Sequence, residues 1–375
     1  MAQGFSLKDQ LFNADTVGRL GDHFEKAGVF DAAPFVTDVM AQIAPLELKA
    51  RINMMADVLA GYLPDDFNAA SDAILAALPP ALDPTKTDDD FGHFIYAPLG
   101  VYVETQGIEN HHERSLYLLE QITQRFSMEF SIRAFLNTHE AATLERMQDW
   151  VSHDSYHVRR LVSEGTRPKL PWGQGIGLSS DQTLPLLDQL YGDSTRFVTR
   201  SVANHLNDIT KNDGAAVIDR LEAWQAAHGQ KKLELDWIRK HALRGLIKSG
   251  DPAAMVHLGY APNANVTVSD FSIAPNVVTI DDTVDVSLNI TAAENTPLIV
   301  DYVIDFVKSN GKTAPKVFKL KQLEVQAGQT VSITKKHKFK GDATTFRLYP
   351  GAHRIHCQIN GRVVQSLDFD LRSLP

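Results

Sequence analysis

Two periods divide the chain. Up to about residue 262 apolar residues recur at spacings of three and four, as at Leu116, Leu119 and Ile122 or Leu184, Leu187 and Leu190, which stripes one face of an α-helix. From about residue 263 the period becomes two. Val266, Val268 and Phe271 open this β-rich tail, and Val284, Val286, Leu288 and Ile290 alternate cleanly. Further strands are predicted over 303–307, 316–321, 330–338, 345–348, 353–359 and 363–371, separated by turn pairs such as Asn310-Gly311, Pro350-Gly351 and Asn360-Gly361. About seven short strands in such a tail predict an immunoglobulin-like sandwich, with Tyr349-Pro350-Gly351 as its tyrosine-bearing corner. The expected architecture is a helical domain over 1–262 and a β-sandwich over 263–375, joined near Tyr260-Ala261-Pro262-Asn263.

The helical part repeats. Val158-Arg159-Arg160, Val198-Thr199-Arg200 and Ile238-Arg239-Lys240 recur forty residues apart, each expected to open a helix after Asp154, Asp193 or Ser194, and Asp236. Paired helices at that period, with a Val-x-Arg start, predict HEAT repeats. Equivalent helices would line one wall and bring their cations together. Arg133, Arg159, Arg160, Arg200, Arg239 and Arg244 then form a stripe, with Arg167, Lys169 and Lys211 in connecting loops, suited to phosphate oxygens. For any one arginine, a solvated face with local ion pairs is an equal alternative. In the tail, Lys336, Lys338 and Lys340 alternate along a strand and offer either a second phosphate contact or protection of a sheet edge.

Composition enters as a restraint. The 375 residues carry a formal charge of −9, which argues against a generally basic nucleic-acid binder. The charge is uneven, however: residues 1–109 carry −11, residues 110–262 balance, and the tail carries +2. A polyanion could therefore approach the later repeats. Cys357 is the single cysteine, which excludes an internal disulfide and a thiolate metal cluster and suits a reducing compartment. The N-terminal MAQGFSLKDQLFN lacks the pattern of a secretory leader, and no stretch is apolar enough to span a bilayer, so a cytoplasmic protein without a membrane partner is expected.

The segment from Trp150 to Trp172, WVSHDSYHVRRLVSEGTRPKLPW, is long and specific. With RFSMEFSIRAFL over 125–136 and RSVANHLND over 200–208, it resembles the AlkC branch of the HEAT-like DNA alkylation-repair glycosylases, most strongly between about 100 and 260. Some members of that branch are similar in carrying a C-terminal immunoglobulin-like domain. The resemblance implies excision of cationic alkylated bases, 3-methyladenine, 3-methylcytosine and 1-methyladenine, from double-stranded DNA that is clasped and bent without deep base flipping; oligomeric state is open, although a solenoid clamp can work as a monomer. Such a base is already a good leaving group. What remains is to stabilise the oxocarbenium-like sugar, which carboxylates do by charge and aromatic faces by their quadrupole.

Carried over residue by residue, the resemblance makes Glu129, Trp172 and Asp208 the catalytic set, with no cofactor and no metal. Read without it, Glu129 is a partner for Arg125 or Arg133 at helical spacing, Asp208 a helix terminator and Trp172 a packed loop aromatic. One departure is Ala134, where the family usually has proline after Ile-Arg. His111-His112-Glu113 and His153 with His157 lack the remaining ligands of a metal motif, and Gly173 to Gly177 lacks the ending of a phosphate loop. Two further classes remain open: a HEAT scaffold that binds a protein, and a damage-binding protein without catalysis.

Overall fold

The computed structural model describes residues 6–88, 90–343 and 346–373. The chain forms two compact units, one of residues 1–209 with 221–242, the other of residues 210–220 with 243–375.

The first unit is helical. Its repeating triplets fall on the helices Tyr156–Gly165, Arg196–Ile209 and Lys232–Ala242, which pack on one another in order. Val158, Val198 and Ile238 are fully buried between them, which is why β-branched residues recur at that phase. Polar links span successive repeats: Arg159 Nε donates to Asp193 Oδ2 at 2.5 Å, Arg196 Nε to Glu234 Oε1 at 2.8 Å, and Trp224 Nε1 to Asp188 Oδ1 at 2.7 Å. Asp193 does precede its helix, accepting from the Thr195 amide at 2.8 Å. Asp236 does not: the helix already begins at Lys232, and Asp236 pairs with Lys232 and Arg239 inside it.

A strap over residues 82–88 and 90–93 runs against the second of these helices, Arg196–Ile209. Its ends are fixed where the Leu82 amide donates to the Gln124 carbonyl (2.9 Å) and the His93 amide to the Arg125 carbonyl (3.2 Å). Midway, the Phe197 amide donates to the Thr87 carbonyl at 2.9 Å. Gly92 makes the close approach possible: its φ is +76°, and a Cβ there would sit 1.8 Å from the Arg125 carbonyl oxygen. Asp88, exposed on this strap, pairs with Arg200.

In the second unit the strands are β1 Val266–Ala274, β2 Val277–Thr279, β3 Thr283–Ala292, β4 Thr296–Val307, β5 Thr313–Val325, β6 Thr330–Lys338, β7 Gly351–Ile359 and β8 Arg362–Arg372. They form a three-stranded sheet ordered β1-β3-β6 and a five-stranded sheet ordered β2-β8-β7-β4-β5. The alternating positions face each other as one core: Val284, Val286, Leu288 and Ile290 of β3 against Tyr302 and Ile304 of β4 and Ile355 and Cys357 of β7. Burial pushes the Cys357 thiol up to about 12. Inside, the Tyr302 hydroxyl lies 2.7 Å from His337 Nδ1, and burial lowers His337 to about 4, so the ring is neutral.

Three strand-level expectations change. Residues 346–348 are irregular rather than strand, with Thr345 outside the described residues, although Leu348 still fills the core. β2, only three residues long and parallel to β8, replaces it in the count. Tyr349 does not form a tyrosine corner; it is half-exposed, with the Arg347 guanidinium 5.7 Å from its ring centroid, and its hydroxyl has no hydrogen-bond partner among the described residues. Lys336 and Lys338 do share the solvent side of β6, on either side of buried His337, and Lys340 is exposed beyond the strand's end. β6 is the end strand of its sheet, and Lys336 stands opposite Asp285 of β3.

Candidate active site

A cleft of about 640 Å³ opens in the helical unit. Its walls include Glu129, Glu164, Arg160, Arg167, Trp172 and Phe197. Glu129 projects from the turn between the helices His112–Thr123 and Ile132–Thr138. The Ser127 hydroxyl and Arg160 Nη1 both donate to its Oε2 at 2.8 Å, so neither Arg125 nor Arg133 is its partner. Arg125 donates instead to the carbonyls of Pro79 and Gln121.

From Glu129 a row of alternating charges runs inward. Arg160 Nη2 lies 3.7 Å from Glu164, Arg167 Nη1 donates to Glu164 Oε1 at 2.5 Å, and Arg167 Nε donates to Asp208 Oδ2 at 2.9 Å. The Ser201 hydroxyl completes Glu164 at 2.6 Å. Burial favours neutral forms throughout, yet each cation lies between anions. For Arg160 burial alone lowers the pKa, but Glu129 and Glu164 outweigh it and raise it; Arg167 is raised by Glu164 and Asp208 against the same penalty. Burial likewise pushes Glu164 up, and the guanidiniums of Arg160 and Arg167 overcome it, holding the carboxyl below its ordinary range. The charges are locked before any ligand arrives.

Trp172 stands at the cleft mouth, 69% exposed and with φ of +65°, a left-handed conformation that a bulky residue rarely adopts. Its loop is held from beneath by Arg133, which donates to the carbonyls of Gln174 at 2.5 Å, Gly165 at 2.9 Å and Arg167 at 2.8 Å. Arg160 also lies over the Phe197 ring, 4.3 Å from its centroid, and Phe91 of the strap packs edge-on against Phe197 at 5.0 Å.

The expected set is thus brought together in part. Glu129 and Trp172 share the cleft; Asp208 lies behind it, 5% exposed, and reaches it through Arg167. Most cations of the expected stripe already have partners within the protein. Arg133, Arg160 and Arg167 are buried and spend their donors on carbonyls, Glu129, Glu164 and Asp208, because a buried guanidinium must be paired. Arg159 grips Asp193 and the carbonyls of His153 and Asp154. Arg200 reaches the cleft wall paired with Asp88, and Arg239 pairs with Asp236. Lys169 is exposed on the Trp172 loop, whereas exposed Lys211 and half-buried Arg244 belong to the second unit. Glu164 and Ser127 were not singled out from the sequence, although Glu164 lies at helical spacing from Arg160.

Comparisons with known proteins agree with this picture. The family model described as the C-terminal Ig-like domain of the uncharacterised protein YhaZ matches residues 267–373. Uncharacterized protein YhaZ of Bacillus subtilis (strain 168) is 37% identical over 273 residues, which is 72% of this chain and 75% of that protein. The solved structure of Pseudomonas fluorescens alkylpurine DNA glycosylase AlkC, bound to DNA containing an abasic site analog, is 33% identical with a TM-score of 0.87, covering 98% of this chain and 100% of that one. The chain belongs to the AlkC family of HEAT-like DNA alkylation-repair glycosylases, in the form that carries a C-terminal immunoglobulin-like domain.

Proposed function

We propose that this protein is a monofunctional DNA glycosylase that hydrolyses the bond between deoxyribose and a cationic N-alkylated base, with 3-methyladenine, 3-methylcytosine and 1-methyladenine as substrates. The observation that carries this reading is the Glu129 carboxylate, fixed on the cleft wall by Ser127 and Arg160 and sharing that cleft with the exposed Trp172 face. As the C1′–N bond stretches, its electron pair moves into the alkylated ring and positive charge grows on the sugar. A preorganised carboxylate stabilises that charge without reorienting, and an indole face adds its quadrupole. Water then adds to C1′ and leaves an abasic site. Asp208 and Glu164 act by keeping Arg167 and Arg160 aligned.

The partner is double-stranded DNA bearing such lesions, met by a monomer in the cytoplasm. Lys169, Arg200, Lys211, Arg239 and Arg244 remain the proposed phosphate contacts, Arg200 after exchanging Asp88 for phosphate. Lys336, Lys338 and Lys340 supply a second contact from the sandwich. Chromatography of bases released from methylated DNA tests the assignment. The purified protein should liberate them and leave abasic sites, with Glu129→Gln slower by about 100-fold; release at background by the unaltered protein sinks it.

A further inference from the structure

A second cavity, of about 490 Å³, lies beside the cleft and shares Phe94, Phe126, Ser127, Phe130 and Trp172 with it. Its volume falls within the roughly 300–1,000 Å³ of small-molecule sites. Its remaining walls are mostly apolar, among them Ile52, Ala97, Val101 and Met128, with the Ser131 hydroxyl and the Asn53 amide as polar edges. The two charged side chains on its lining are already engaged: Glu47 with Lys8 at 2.7 Å, and Lys49 with the Trp172 carbonyl at 3.4 Å. The neighbouring cleft is lined instead by Glu129, Glu164 and three arginines.

We infer that this cavity receives the alkylated base after it has left the sugar. The inference rests on the glycosylase reading and on the change of charge along that reaction. In the nucleoside the alkylated ring is a cation, suited to a cleft that carries carboxylates. When the C1′–N bond breaks, its electron pair passes to the ring and the base departs neutral; water supplies hydroxyl to C1′ and loses one proton to solvent. A neutral aromatic ring gains nothing from the ion row but is stabilised by stacking on Phe and Trp faces in a cavity with little to hold water. Trp172 and Phe130 belong to both cavities, so the product needs only to cross a shared wall.

Free 3-methyladenine is the probe, added to the full chain and followed by calorimetry and by quenching of tryptophan fluorescence. Saturable binding and product inhibition are expected. Val101→Phe and Ile52→Phe, both on the wall of this cavity and off the reaction cleft, should each weaken binding by about tenfold or more and relieve the inhibition. Single-turnover release from methylated DNA should stay within about twofold of the unaltered protein. Ile52 is half-exposed, so its variant keeps the test available if Val101→Phe fails to fold. Absence of binding at millimolar base overturns the inference, as does full affinity in a folded variant, or a fall in single-turnover rate matching the loss of binding. A protein that binds the free base with this sensitivity yet releases none from DNA keeps the cavity as a site for a neutral base and overturns the glycosylase reading, and with it the role in product release.

Discussion

Replacing Glu164 with glutamine removes one anion from the middle of the charge row and changes almost no volume. Glu164 is 5% exposed and has Arg167 Nη1 at 2.5 Å and Arg160 Nη2 at 3.7 Å. At an effective dielectric near 20, each opposite pair about 4 Å apart carries a gross attraction of about 4 kcal/mol. Desolvation of the carboxylate offsets much of this, and breaking a buried pair costs about 3–5 kcal/mol because a charge is left uncompensated. Glu129 and Asp208 remain to hold the two guanidiniums, so the lower end, about 3 kcal/mol, is expected, or about 6–12 °C in melting temperature. All four tryptophans, Trp150, Trp172, Trp224 and Trp237, lie in the helical unit, so urea denaturation followed by tryptophan fluorescence reads this unit. The deficit also has a pH signature. Glu164 titrates below its ordinary 4.5 when folded, so its contribution is full above that value and disappears as pH falls through the lowered one. The two proteins should therefore converge as acid carries the solution below that lowered value. Equal midpoints at neutral pH, or a deficit unchanged on acidification, would refute the row as an electrostatic unit.

The other predictions concern single groups. Trp172→Gly should melt within about 2 °C of the unaltered protein, because releasing the left-handed strain offsets glycine's entropy, while base release falls by about tenfold or more. Burial raises Asp301 from 3.8 to about 6, so the folded state loses stability as pH rises between those values; Asp301→Asn should be more stable at pH 8 by about 2 kcal/mol, read by chemical denaturation, and no gain there contradicts the buried-charge account. Burial also keeps the Cys357 thiol protonated, so a thiol reagent should label it only when the sandwich opens, at a rate that rises with urea; rapid labelling of the native protein contradicts its placement.

Much of the architecture was legible because burial imposes a period. The buried β-branched residue that opens each repeat marks the phase of a packed helix, and Val284 to Ile290 marks a sheet with one face in the core. What escaped depends on partners rather than on period. The stretch 345–348 alternates like a strand but has no pairing neighbour over its described residues, whereas β2 is a strand only because β8, far along the chain, pairs with it. The arginines were visible as cations; that Arg160 would meet Glu129, 31 residues away, was not, since helix-to-helix spacing cannot be read from one helix. Glu129 and Trp172 were found through a motif, while the strap that places Phe91 and Asp88 beside Phe197 and Arg200 carried no periodic signal.

The place where helices give way to strands is not where the protein would come apart as building blocks. The last helix ends at His257 and β1 begins at Val266, but residues 243–262 already belong to the sandwich's unit. Met255 and Tyr260 cluster with Ile299, Gln322 donates to the Tyr260 hydroxyl, and Asn360 Nδ2 donates to the Ala261 carbonyl at 2.9 Å. At Gly250 and Gly361 a Cβ on either would lie within 2.5 Å of the other's backbone. A fragment begun at residue 263 would therefore leave Ile299 uncovered and remove the Ala261 partner of the Asn360 amide. Any graft or excision of the sandwich carries its own short helical collar, residues 243–262, together with the segment 210–220 that belongs to the same unit.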